Sequence, residues 1–504
     1  MKTIKLILLL TGILVTACTK DNLLDTGEIG PVTDDASLKC TGPVITIAPN
    51  GTDDTENLLD AFAAAAPGTV IRLTEGVYYM GYMEVRGFCG SLVGAGKDKT
   101  ILYPVTPIDS KTQNLDLNLL PAWWRFIGGD IQIAGMTFNT TVPEPIQNYN
   151  DDYFWGKDLY GILMFNSYDV NSPDADATQR VIVRNTGFIG GYDDAGGDPD
   201  SYQWRTDHNT ILGFWAGLDY NWPFEDLDYT LTKGEYTVEN CSFDHIIAAA
   251  EGFGLGGEAT MKVASCSFDN CVTQAYFCAD YGSKVFITHN VFSGSTGNDI
   301  LIEDNDWGVV YGYADVQPVK RSQYFITGNI FHVVPSSTSV LLWDSWLAQD
   351  CEDMLPMQFL LKGNVFKMAE GSTGISAINS QDAVISNNRF TGNCSAGILV
   401  DGISTDRFGT PLLDPDQAYA DNALLHGNNF SLLESDEADI LLGERSRNCT
   451  VVGGSMDAVI DLGTDNRVIG LKPSHHGYHF GPGIRDYMGK GHGPGEHGRS
   501  VHRH

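Results

Sequence analysis

The six residues Ile287-Thr288-His289-Asn290-Val291-Phe292 decide the fold, because the phrase they spell, apolar-x-x-Asn-x-Phe, keeps returning. It recurs as ITGNIF (326–331), LKGNVF (361–366), ISNNRF (385–390) and LHGNNF (425–430). VENCSF (238–243) and VASCSF (263–268) put Cys in the Asn slot, and IAGMTF (133–138) and VRNTGF (183–188) are looser copies. The shortest Phe-to-Phe steps are 24 and 25 residues. Longer steps read as this unit with an insertion, or as two units. A period in the twenties, with β-branched alternation and Asn/Gly turns, is the pattern of a β-solenoid. A leucine-rich repeat has a similar period, but its Leu-rich consensus is absent.

Each unit divides into three short strands. The first is seen in GILMFN (161–166), IIAAAEG (246–252), AYFCAD (275–280), ILIED (300–304), VLLWD (340–344), GISAIN (374–379), GILVD (397–401) and ILLGE (440–444). The second is the apolar run before the Asn, and the third carries the Phe. Asn290, Asn329, Asn364, Asn388 and Asn428 fall on successive rungs, with Cys241 and Cys266 in the same slot earlier. Stacked about 4.8 Å apart, their amides can bond to one another and to the backbone of the bend.

These features resemble the right-handed parallel β-helix of the pectate lyase-like superfamily, with its asparagine ladder at a turn. The stretches 50–80 and 91–102 look like that superfamily's capping helix and first rungs. Thr55 to Ala66 reads as a short amphipathic helix stopped by Pro67-Gly68, suited to covering the open end of a solenoid core. The expected fold is therefore all-β: a three-sheet, right-handed parallel β-helix over 43–472, with an N-terminal capping helix and long loop insertions. The resemblance fixes no chemistry, because one fold hosts many functions.

The ends read differently. Lys2 and Lys5 precede an apolar run too short to span a membrane. It ends in Val15-Thr16-Ala17-Cys18, which resembles the lipobox of bacterial lipoproteins. That resemblance implies a signal peptide over 1–17, lipidation of Cys18 and an anchor linker over 18–42. Thr19-Lys20-Asp21-Asn22 resembles the surface-export signal of Bacteroidetes lipoproteins. The expected location is the outer membrane, facing outward, with the membrane met only through the lipid. Residues 473–504 hold seven of the 12 His residues and continue no hydrophobic period. They read as a disordered Gly/His-rich tail. Nine cysteines remain after Cys18, irregularly spaced and without CxxC, so they read as buried thiols.

The chain carries 31 Lys and Arg against 64 Asp and Glu, a formal net charge of −33. Such a surface repels phosphate backbones and excludes nucleic acid as a partner. A hydrophobic share of 42 % excludes global disorder.

Insertions at 141–160 and 191–209 precede a first strand. Those at 167–179, 216–234, 304–322, 345–358 and 402–422 follow one. Both classes flank the first-strand face and would wall a groove there, where the superfamily usually binds polysaccharide. The walls are aromatic, with Trp204, Trp222, Trp307 and Trp343 as candidate sugar contacts beside Arg205. Aligning the ends of the first strands puts Asn166, Glu251, Asp280, Asp304, Asp344, Asn379 and Glu444 in one column. Glu303 and Trp343 are expected to point outward by alternation.

The candidate catalytic residues are thus Glu303, Asp304, Asp280 and Asp344, with Glu251 at the edge. Carboxylates on adjacent rungs suit a retaining glycosidase, and carboxylates two rungs apart suit an inverting one. Asp280 and Asp304 could instead hold Ca²⁺, which takes oxygen ligands; the sequence names no other cofactor and leaves that question open. Arg205 with Asp207 and His208 is the candidate set for a lyase. Polygalacturonase motifs fail to match, since the only Gly-His-Gly (491–493) lies in the tail. The expected function is binding and cleavage of polysaccharide, as a glycoside hydrolase or polysaccharide lyase. The alternative is a non-catalytic glycan-binding or structural, adhesive surface protein.

Overall fold

The structure is a computed structural model. It describes residues 42–105, 122–141, 159–166, 179–190, 210–217, 233–256, 259–278, 282–303, 321–344, 356–405, 418–453 and 458–470. The expected signal peptide, Cys18 and the His-rich tail lie outside them. So do most of the residues of the expected insertions. Among the described residues no helix is long and apolar enough to cross a membrane.

The chain coils as a parallel β-helix. Its second strands form one 14-stranded sheet, running from Val44–Ile47 to Arg467–Ile469, with every pairing parallel. Alternate residues of these strands, such as Val285 and Ile287 or Tyr324 and Ile326, are buried in the core. The first and third strands were expected as two further sheets, but they join into a single 21-stranded one. The reason is local. On two late rungs, Arg389–Asp401 and Asn429–Leu442, the chain runs as one strand around the corner that elsewhere separates them.

The repeated phrase is the core of the coil. Phe138, Phe188, Phe243, Phe268, Phe292, Phe331, Phe366, Phe390 and Phe430 stack face to face inside the third strands. Successive ring centroids are 4.6–5.6 Å apart and neighbouring planes differ by 3–11°. That spacing is the rung repeat itself.

The Asn ladder is continuous. The Nδ2 of Asn290, Asn329, Asn364 and Asn388 each donates to the Oδ1 of the next rung's Asn at 2.9–3.1 Å. The same Oδ1 also accepts from the preceding Asn's backbone N–H. Each Nδ2 donates as well to a carbonyl one rung back, such as Ile326 O for Asn364. The Cys residues fill the slot in the same way: the Cys266 thiol donates to Val238 O and Ala264 O. Cys449 also occupies the slot, and its backbone N–H donates to Asn466.

The residue before each slot adopts a left-handed backbone, as at Asn185, Asn240, Gly328, Gly363, Asn387 and Gly427, with φ of 50–67°. Glycine and asparagine take that conformation at least cost, which explains their recurrence there. Ser265 and His289 adopt it too.

The capping helix α1 spans Thr55–Ala64, two residues shorter than expected, because Ala65 is already extended. It buries Leu58, Ala61 and Phe62. The Phe62 ring meets Phe88 edge-on at 4.9 Å and Phe126 at 5.9 Å. Asp54 at its start is wholly buried. Its carboxylate accepts from Asn50 N–H at 2.8 Å, and its backbone N–H donates to Tyr79 O.

Candidate functional site

Backbone register, not residue type, decides which side chains share the outer face of the first strands. Glu251 pairs with Trp215 on the rung before and Tyr276 on the rung after. Tyr276 pairs with Leu301, and Leu301 with Leu341. Two residues further along the strand runs a second column, Phe253–Cys278–Glu303–Trp343–Ile378–Asp401. The expected single column of carboxylates is therefore corrected. Glu251 and Glu303 lie in neighbouring columns, two rungs apart.

Asp344 follows Trp343 and is turned inward rather than onto the groove. It is wholly buried, and its Oδ2 accepts from Met357 N–H at 2.8 Å, where the chain re-enters the next second strand. Asn379 holds the equivalent place one rung on, with its amide bonded both ways to the Ile403 backbone. Asp401 likewise caps a bend, accepting from Gly402 N–H and Arg445 N–H. Strand ends favour Asp and Asn for such backbone bonds, and this is why aligning by residue type misled. Asp280, Asp304, Trp307, Trp204, Trp222, Arg205, Asp207 and His208 lie outside the described residues. The candidate calcium ligands fall among them. Among the described residues no cluster of three or more His, Cys, Asp or Glu is placed to hold a metal ion.

What the structure does bring together is Glu251, Tyr276 and Glu303. The Tyr276 hydroxyl donates to Glu303 Oε1 at 2.5 Å. Both glutamates are nearly inaccessible, at 3 % and 2 % exposure. Burial pushes the Glu251 carboxyl well above the usual carboxylate range, and the nearby Glu303 charge pushes it further. Burial and a nearby carboxylate charge both favour the neutral form of an acid. Aromatic rings bracket the group. Trp215 stacks on Phe253 at 5.5 Å on one side. Trp343 is paired in register with Glu303 on the other, and its Nε1 is buried without a hydrogen-bond partner.

The Glu251 column continues toward the N-terminus through Trp215 and Met164 to Arg125, which is wholly buried. Arg125 lies opposite Glu84 in strand register, and the Glu84 carboxylate binds Arg86 at 2.7 Å. Burial lowers the Arg125 pKa, and burial pushes the Tyr82 hydroxyl beside it up to about 12. From Arg125 to Trp343 the face crosses seven rungs, about 30 Å. Sequence reasoning missed Tyr276 and Arg125. Both were readable as alternate, outward positions of AYFCAD and AWWRFI once their strands were registered on their neighbours.

The sequence matches no family model, and a search of characterised proteins finds no match. The fold is similar to several solved structures. One is the A-module of the mannuronan C-5 epimerase AlgE4 of Azotobacter vinelandii (TM-score 0.45, 13 % identity, covering 85 % of this chain and 96 % of that one). Another is a mannuronic acid specific polysaccharide family 6 lyase from human gut microbiota (0.46, 13 %, 85 % and 82 %). A third is an exopolygalacturonase from Thermotoga maritima (0.47, 9 %, 83 % and 92 %). These likenesses assign no chemistry to this chain.

Proposed function

We propose that this chain is an exported, lipid-anchored β-helix protein that binds polysaccharide along its first-strand face and hydrolyses it with Glu251 and Glu303. The observation that carries the reading is the carboxyl pair itself. Burial, and then the Glu303 charge, push the Glu251 carboxyl toward its protonated form, and Glu303 accepts a hydrogen bond from the Tyr276 hydroxyl. Glycoside hydrolysis uses two carboxyls, one as acid and one as base or nucleophile. Glu251 protonates the leaving oxygen, and Glu303 activates water. Trp215 and Trp343 supply the apolar faces on which pyranose rings stack. The net charge of −33 favours neutral glycans over polyuronates, which it repels.

Both carboxyls are nearly sealed from solvent in this structure, so hydrolysis requires the face to open to substrate. The same burial favours a second reading, in which the carboxyls brace the coil and the protein binds glycan or another surface without cleaving it. A screen of the purified protein against a polysaccharide panel separates the two. Hydrolysis yields new reducing ends without unsaturated products. Binding without new ends favours the second reading.

Anchoring rests on the resemblance of Val15–Cys18 to a lipobox. Several acyl chains hold a protein on a membrane stably where one does not. Cys18→Ala is expected to move the protein from the membrane fraction to the soluble fraction. A mutant that still pellets with membranes contradicts lipidation.

A further inference from the structure

Inside the corner where the third strand turns into the next first strand lies a short polar column that the proposed chemistry does not use. Gln274, Asp299 and Ser339 occupy it on three successive rungs, all but fully buried. Gly374 and Gly397 hold the place on the two rungs that follow Ser339, with Ala249 on the rung before Gln274 and Asp439 on the rung after Gly397. A side chain added at Gly374 or Gly397 would start within 3 Å of the Phe390 or Phe430 ring, so the column faces the phenylalanine stack. The Ser339 hydroxyl donates to Asp299 Oδ2 at 2.6 Å. Gln274 Nε2 donates to Ser293 O at 2.6 Å. That leaves two buried oxygens, Asp299 Oδ1 and Gln274 Oε1, with no donor.

We propose that Asp299 carries a proton in the folded protein and donates it to Gln274, locking two successive rungs together in a contact that is lost when the proton leaves. The two side chains are register neighbours on adjoining rungs, and one proton between them would satisfy both orphaned oxygens, which otherwise remain two buried acceptors without a donor. The surroundings agree. Burial pushes the Asp299 carboxyl up to about 7, and the Ser339 bond offsets this only in part. No charged group among the described residues contributes to that shift. The ionisable neighbours on adjoining strands face elsewhere: Glu303 lies on the outer face of the same strand, and Asp269 and His332 are exposed on the outside of third strands. Asp299 directly precedes Ile300–Glu303, so the contact sits at the root of the strand that carries Glu303.

The folded-state pKa is raised above the unfolded value. The stabilisation is therefore fully present below about pH 4 and is lost as pH rises through about 7. Across that window the folding equilibrium should weaken by up to about a thousandfold from this group alone. Asp299→Asn keeps a donor at every pH. The full-length protein and this variant are to be melted in parallel from pH 4 to pH 8. Their stability difference is expected to change steadily in favour of the variant as pH rises. A difference that stays flat across the window overturns the proposal. If the variant fails to fold, ¹³C-labelled aspartate in the wild-type protein gives the answer directly. One Asp carboxyl titrating near pH 7 supports the contact, and none titrating above about pH 6 refutes it.

Discussion

Glu303→Gln is expected to lower the rate of glycan cleavage by about 10²–10⁴-fold, with the melting temperature close to that of the wild type. The amide keeps the shape of the side chain and an oxygen to accept the Tyr276 hydroxyl, so packing is unchanged, but it cannot take a proton from water. Glu251→Gln should cost a similar factor on substrates whose leaving group needs protonation. It should also alter the pH profile. The Glu251 pKa is raised by burial and by the Glu303 charge, so the acid works below that value and the rate falls as pH rises through it. The same sign governs stability. A carboxyl whose folded pKa is raised stabilises most at low pH, and that contribution is lost as pH climbs. Glu251→Gln should therefore melt higher than wild type at alkaline pH while being inactive. A variant that keeps full activity, at either position, removes the pair from the chemistry.

Asn364→Leu is expected to destabilise the coil by at least about 2 kcal/mol, since each buried polar group left without a partner costs about 1–3 kcal/mol. Asn364 Oδ1 takes both the backbone N–H and the Nδ2 of Asn329. Its own Nδ2 serves Asn388 Oδ1 and Ile326 O. Leucine matches the volume and strands groups on both neighbouring rungs. The chain supplies its own control. Cys241 and Cys266 hold the same slot, and their thiols donate to the equivalent carbonyls, so Asn364→Cys should cost less than Asn364→Leu. Denaturant unfolding compares the two. A neutral Asn364→Leu would show that the ladder contributes no net stability.

The ladder and the phenylalanine stack were legible in the sequence because one bend fixes both. A left-handed residue, the slot and the Phe follow one another within four positions, so each rung restarts the count. No such marker fixes the first strand. The chain leaves it into connections of very different length, and its end is not set by a turn of constant size. Aligning the terminal Asp, Asn and Glu residues matched Asp344 with Asn379, which do share the bend-bracing role. It also matched them with Glu251, which does not. Pairing the strands placed Glu251 beside Tyr276 and Glu303 beside Trp343. The pair was thus half visible. Glu303 was recognised as outward-facing by alternation, whereas its coupling to Glu251 through neighbouring columns depends on register alone. Asp299 carries no signal of its own, because nothing in the sequence shows that its corner turns inward.

In the proposed reaction Glu251 and Glu303 act as acid and base across an intervening water. Their strands lie two rungs apart, about 10 Å along the coil axis between backbones, and that spacing leaves room for the longer carboxyl separation of an inverting reaction rather than the shorter one of a covalent intermediate. The most direct measurement is the anomeric configuration of the first product released from whichever glycan the panel identifies, read by NMR before mutarotation. Saturated product of inverted configuration, lost in Glu303→Gln, is the result predicted here. Retained configuration, an unsaturated product, or equal release by wild type and variant would contradict it.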